Sequence, residues 1–338
     1  MKEAGMYRRD KEKIARLSDV FDRNFKITRL YASYLERFPE AITKEMIDTV
    51  CEGGDITPEA ALVGILSELF GLDIDRAEDR RLILDYLTPS VRLFDARKYY
   101  ENPYYKNIRI ENVKEEGWEL RQESYLPYRG VIAGDMQIYP DYREVPPLGF
   151  FTEEFRFPAV LENGNEWMTL TPVDLDTSEE AIEAAEGDVV TFGLGLGYYA
   201  YMCSEKSEVK TVTVVEKSRD VIALFEKHIL PQFPNKSKVI IVNADAFDFA
   251  ERVMPEKHYN VAFVDTWRDA SDGAPMYKRM KALEPLSPDT RFLYWIENFL
   301  ISRHRALAWW EMTDKLEAGT EDAPRSFADI TARLDNPL

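Results

Sequence analysis

Three glycines at alternate positions, Gly193, Gly195 and Gly197, lie between the apolar run Asp188-Val-Val-Thr-Phe192 and Tyr198-Tyr199, where a helical pattern opens. Glycine at a strand-to-helix turn lets the backbone reverse sharply and lets a ligand touch the main chain with no Cβ in the way. Nineteen residues after Gly197, Glu216 ends the β-branched run Val212-Thr-Val-Val215. A carboxylate there accepts hydrogen bonds from ribose hydroxyls, and the separation is the ~20 residues of a nucleoside-binding βαβ unit. Two more acids follow apolar runs: Asp245 in Asn243-Ala-Asp-Ala246-Phe247, and Asp265 in Val264-Asp-Thr-Trp267. A carboxylate at Asp265 can take a proton from an amine nucleophile or stabilise its cation. Plainer uses stand beside these: turn geometry for the glycines, a helix N-cap or Asx turn for Asp245, and a strand-end cap for Asp265.

The elements that position these residues alternate. Strands are predicted at Asp188–Phe192, Thr211–Val215, Lys238–Val242, Val261–Val264 and Arg291–Ile296. Helical patterns separate them at Tyr199–Ser204, Asp220–Ile229, Phe247–Val253 and Met276–Leu283, and another, Ser178–Ala185, precedes them. Such alternation implies an α/β fold with a mostly parallel sheet covered by helices on both faces. Upstream the character differs. From Tyr7 to Tyr100 apolar residues recur at helical spacing, as in Ile14, Leu17, Val20, Phe21 and Phe25, with further runs at Tyr31–Phe38, Ile42–Cys51 and Pro58–Phe70. From Tyr104 to Trp167 short strands alternate with turns, and Asn163-Gly164 is a hairpin signal. The domains expected are 1–103, helical; 104–167, a small β-rich connector; 168–318, the α/β domain; and 319–338, a poorly ordered tail.

The run from Asp188 to Tyr199, with Glu216 after it, resembles motif I of the class I, Rossmann-like methyltransferases that use S-adenosylmethionine (SAM). The spacing is G-x-G-x-G, and Tyr198 stands where a dinucleotide fingerprint has its last glycine. The resemblance covers 171–299 and implies SAM as cofactor. It implies that Gly193, Gly195 and Gly197 pass under the methionine and ribose, and that Glu216 holds the ribose hydroxyls. Asp245 then accepts from the adenine amino group, the backbone N–H of Ala246 meets the ring, and Asp265 borders the methyl group as the catalytic or substrate-orienting residue. The function implied is methyl transfer to a small or amine-bearing acceptor. Departures are a missing strand hairpin after the fifth strand, where one helix to about Leu316 is predicted, and the absence of Asn-Pro-Pro-Tyr after the fourth.

A second likeness competes. The β-rich segment ahead of the nucleotide fold and the acids Asp265, Asp269 and Asp272 are similar to the layout of spermidine synthase-like aminopropyltransferases. Arg268 and the leucines between the glycines depart from that pattern. A third reading is a binding or assembly protein without turnover. Around the site, Trp167 and Thr171 are candidate contacts or, alternatively, core and N-cap, while Tyr198 or Tyr199 shields the methionine end or packs on the sheet.

Charge narrows the partners. With 43 Lys and Arg against 61 Asp and Glu, the net charge is −18. That argues against nucleic acid, whose phosphates bind Lys and Arg, and for a small-molecule substrate that is cationic if the acids surround the site. The clusters Arg8-Arg9 and Arg303-His304-Arg305 do not reverse it. The two cysteines, Cys51 and Cys203, lack metal-ligand spacing, so no metal and no disulfide framework are expected. No apolar run reaches membrane length and the N-terminus lacks a secretory core, so the default is cytoplasmic. Exposed aromatics in the β-rich segment leave room for an oligomer interface.

Overall fold

The computed structural model describes residues 2–115 and 117–338, with side chains from Asp10 onward, so the Arg8-Arg9 cluster lies outside the described side chains. The chain is mixed α/β and divides into two compact units. One comprises 94–127 and 151–297; the other comprises 1–93, 128–150 and 298–338.

The first unit is built on a five-stranded, all-parallel sheet. Its strands are β1 (Gly187–Phe192), β2 (Val209–Glu216), β3 (Val239–Asn243), β4 (Val261–Val264) and β5 (Arg291–Tyr294). The order is β3-β2-β1-β4-β5, so the connection reverses direction beside β1. In open parallel sheets that is where ligands bind, outside the carboxyl ends of the strands.

One face carries Val189, Val212, Val214, Val261 and Phe263, in one buried cluster with residues of α1 (Pro172–Ala184), α2 (Tyr198–Glu205) and α3 (Arg219–His228). On the opposite face Phe192 meets Phe249 of α4 (Ala246–Arg252), and Tyr294 meets Tyr277 of α5 (Ala270–Lys281). Burial on both faces is why these strands read as continuous apolar runs.

Two helices begin earlier than the predicted Ser178–Ala185 and Met276–Leu283. α1 starts at Pro172 because Thr171 and Asp174 form a reciprocal capping box with proline in the first turn. α5 starts at Ala270 because Asp269 and Asp272 do the same.

The unit also holds a four-stranded antiparallel sheet of Val113–Glu115, Trp118–Tyr125, Phe155–Glu162 and Asn165–Thr169. The Asn163-Gly164 hairpin forms as read, both residues at positive φ (52° and 82°), which suits the twist of the flanking strands.

The second unit gathers distant segments. The predicted helical runs Ile14–Phe25 and Tyr31–Phe38 are one helix, Lys2–Arg37. Helices Lys44–Cys51 and Pro58–Leu69 follow, the latter capped by Thr57. The helical reading to Tyr100 is corrected by a strand at Val91–Phe94.

The tail is corrected too. Phe327–Asp335 is a helix capped by Ser326, and its Ile330 and Leu334 are fully buried with Leu17, Phe21, Trp309 and Met312. The alternating polar residues of 319–338 concealed that narrow apolar stripe. Glu297–Ala318 is a single helix, as expected after the fifth strand. Among the described residues no helix is long and apolar enough to cross a membrane.

Candidate functional site

The carboxyl ends of β1, β2 and β4 bring the glycine turn, Glu216 and Asp265 together. Gly193, Gly195 and Gly197 all have positive φ, at 97°, 49° and 75°. Their surroundings differ. A Cβ on Gly193 would collide with the Asp265 carbonyl oxygen, and one on Gly197 with the Phe225 ring, so both glycines serve close packing. At Gly195 the obstacle is the flexible end of Met168. Only there does the turn face a movable group.

Glu216 holds the turn directly. Leu194 N–H donates to its Oε2 at 3.1 Å, and Ser218 N–H donates to Oε1 at 2.7 Å. The Tyr104 hydroxyl donates to the Leu196 carbonyl at 2.6 Å, a clamp from 92 residues upstream that local pattern reading does not reveal. Asn102 donates to the Tyr198 hydroxyl at 3.0 Å.

Asp245 is the N-cap of α4, accepting from Phe247 N–H at 3.0 Å and Asp248 N–H at 3.3 Å. Partial burial opposes its ionisation, but these N–H groups and nearby Lys217 hold its carboxyl below the ordinary value. The cap uses Oδ1, while Oδ2 lies 3.6 Å from Lys217. Ala246 opens α4 and is buried. It follows β3, whose Asn243 pairs with Glu216 at the end of β2.

Asp265 lies just past β4, its N–H bound to the Phe192 carbonyl at 2.9 Å. Its side chain makes no hydrogen bond or ion pair among the described residues and lines a pocket over β1, β2 and β4. The floor is Thr191, Val214 and Phe263; α1 contributes Asp174 and Ser178; Met168, Tyr198 and Tyr199 add walls. The pocket holds about 390 Å³ of empty space, part of it open to solvent. Asp174 is buried, and its Oδ2 accepts from both the Thr171 N–H (2.7 Å) and hydroxyl (2.9 Å).

Among the described residues no lysine, arginine or histidine lines the pocket. Burial pushes the Asp174 carboxyl up to about 7 against the pull of those hydrogen bonds. Burial raises Asp265 well above the carboxylate range, and the charges of Asp174 and then Glu216 raise it further. Three buried polar groups at the ends of β4 and β5, Thr266 Oγ1, Trp267 Nε1 and Trp295 Nε1, lack a hydrogen-bond partner among the described residues.

The remaining candidates take plainer positions. Trp167 is exposed and packs edge-on to Trp118 at 5.4 Å, while its neighbour Met168 lines the pocket. Thr171 is the N-cap of α1. Tyr199 stacks on Phe263 at 4.5 Å. Asp269 and Asp272 are committed to the α5 capping box. Cys203 is buried, its thiol pushed up to about 12 by burial, and Cys51 is half-buried and free. Asp174 and Ser178 were missed by sequence reading; their one signal is i, i+4 spacing on a helix entering β1.

No protein-family model matches the chain, and no curated protein matches it.

Proposed function

We propose that the parallel-sheet unit is a Rossmann-like SAM-binding domain and that the protein transfers a methyl group to an amine-bearing small molecule. The observation that carries this reading is the join between the glycine turn and Glu216. The acid and the turn meet at the ends of adjacent parallel strands, beside the point where strand order reverses. The residues present fit the group. Gly195 faces only a movable thioether, Glu216 offers a carboxylate at the ribose position, and unpartnered donors surround the neighbouring strand ends.

Gly193, Leu194, Gly195 and Gly197 form the cradle, Glu216 takes the ribose, and Asp245 and Ala246 border the adenine. Asp245 accepts through Oδ2, the oxygen its cap leaves over. Bound there, the cofactor supplies a methyl group on a sulfonium sulfur. Asp265 sits one step past β4 and takes the proton from an ammonium acceptor, freeing the lone pair that attacks. Its raised pKa makes the carboxylate a stronger base than an exposed aspartate. The rest of catalysis is alignment of nucleophile, carbon and sulfur.

Glu216→Gln tests the reading. It keeps the shape of the turn while removing the charge that ribose hydroxyls bind, and SAM affinity is expected to fall about tenfold or more. Unchanged affinity in a folded Glu216→Gln variant overturns the assignment.

One observation favours aminopropyl transfer as a second reading. Acids line the pocket, and no lysine, arginine or histidine among the described residues lines it to meet the carboxylate of SAM, so a decarboxylated sulfonium ligand suits it. Against it, two of the acids that suggested that family cap a helix. Product analysis separates the two: S-adenosylhomocysteine marks methyl transfer, methylthioadenosine the alternative.

A further inference from the structure

We infer that Asp174 and Asp265 form a two-carboxylate receptor for an aliphatic ammonium group. The inference deepens the reading of this same site and rests on it for the identity of the neighbouring ligand. Asp265 extends the face that carries Phe263 and has no side-chain partner among the described residues. Asp174 reaches the pocket from α1, with Oδ2 tied to Thr171 and Oδ1 without a hydrogen bond among the described residues. Each carboxyl raises the other's cost of ionising, the reverse of what a structural ion pair does.

The ionisable groups that act on the pair include Glu166, Glu216 and Tyr105, and no lysine, arginine or histidine lines the pocket among the described residues. Asp174, buried, and Asp265, half-buried, face an opening with no lysine, arginine or histidine in its lining among the described residues, surroundings that favour a positive ligand. The apolar walls, Leu170, Tyr199 and Phe263, suit a methylene chain behind the charged head. The ligand class is therefore an alkylammonium: a cationic head on a short apolar stem. Two sources supply it, the amine acceptor itself or the aminoalkyl arm of a decarboxylated nucleoside ligand.

The test is calorimetric titration of the full chain with 1,4-diaminobutane, n-butylamine and butyrate, alone and with SAM present. Both amines are expected to bind, butyrate is not, and Asp174→Asn and Asp265→Asn are each expected to weaken the amines at least tenfold. Asparagine keeps the size of the side chain, and an oxygen for the α1 cap, so circular dichroism is expected to show both variants folded. Amine binding that persists or tightens with SAM assigns the receptor to the acceptor. Competition by decarboxylated SAM assigns it to the nucleoside's arm. Absence of amine binding in every condition, equal binding of butyrate, or unchanged binding in both folded variants overturns the inference. Loss of SAM binding with amine binding retained sinks the cofactor reading instead, so the two failures are distinguishable.

Discussion

Each unit of the protein buries carboxylates, and each treats them differently. In the unit that gathers the chain's ends, Glu144 is almost fully buried, and burial raises its pKa. It is answered by groups of its own unit: the Ser302 hydroxyl donates at 2.6 Å, and the Arg305 guanidinium lies 3.5 Å away. Arg305 in turn donates to the Leu334 carbonyl at 3.0 Å, so the pair ties two helices and a short strand together. In the parallel-sheet unit, Asp174 and Asp265 face a pocket lined by no lysine, arginine or histidine among the described residues. The difference separates two uses of a buried acid. With a cation supplied by the fold, the acid organises structure; without one, at the edge of an opening, it is left for the cationic ligand proposed above.

The largest expected effect breaks the compensated side. Glu144→Ala leaves the largely buried Arg305 guanidinium without its carboxylate and is expected to cost about 3 kcal/mol. Urea denaturation measures it, and a loss below about 1 kcal/mol would mean the pair is not structural.

The next prediction has the opposite sign. The folded value of Asp174, about 7, lies above the ordinary 3.8, so its ionisation costs stability. That cost is absent below about pH 4 and complete above about pH 7. Asp174→Asn is therefore expected to stabilise the ligand-free protein at pH 8, by up to about 4 kcal/mol, and to change little at pH 4. Melting curves at the two pH values decide it; a variant less stable than the parent at pH 8 makes Asp174 a cap and nothing more.

The glycine turn sharpens the same contrast between structure and ligand. Gly193→Ala drives a Cβ into backbone at a φ of 97° and is expected to prevent stable folding. Gly195→Ala meets only the end of Met168, at a φ of 49° within the left-handed region, and is expected to cost about 1 kcal/mol while weakening SAM. Equal effects at the two positions would erase the distinction between a packing glycine and a ligand-facing one.

What the sequence revealed divides along the same line. The five parallel strands were legible because buried strands read as short runs of Val, Ile and Phe bounded by turns. The glycine turn and Glu216 were legible because their spacing is local. The partners of those residues were not. Asp174 looks like any acid in a helix's first turn, and only the packing of α1 over the sheet brings it opposite Asp265. Tyr104 at Leu196, and Phe21 stacked on Trp309 at 4.6 Å, join segments far apart in the chain, where periodicity carries no signal. The helix at Phe327–Asp335 lies in the tail that the sequence marks as poorly ordered, because its two buried residues matter only against the helices they meet.

The central claim is that the glycine turn and Glu216 hold SAM. Parallel calorimetric titrations of the intact protein with SAM, S-adenosylhomocysteine and NAD test it most directly. The account predicts binding of both adenosyl-sulfur ligands and none of NAD; binding of NAD alone, or of none of the three, contradicts it.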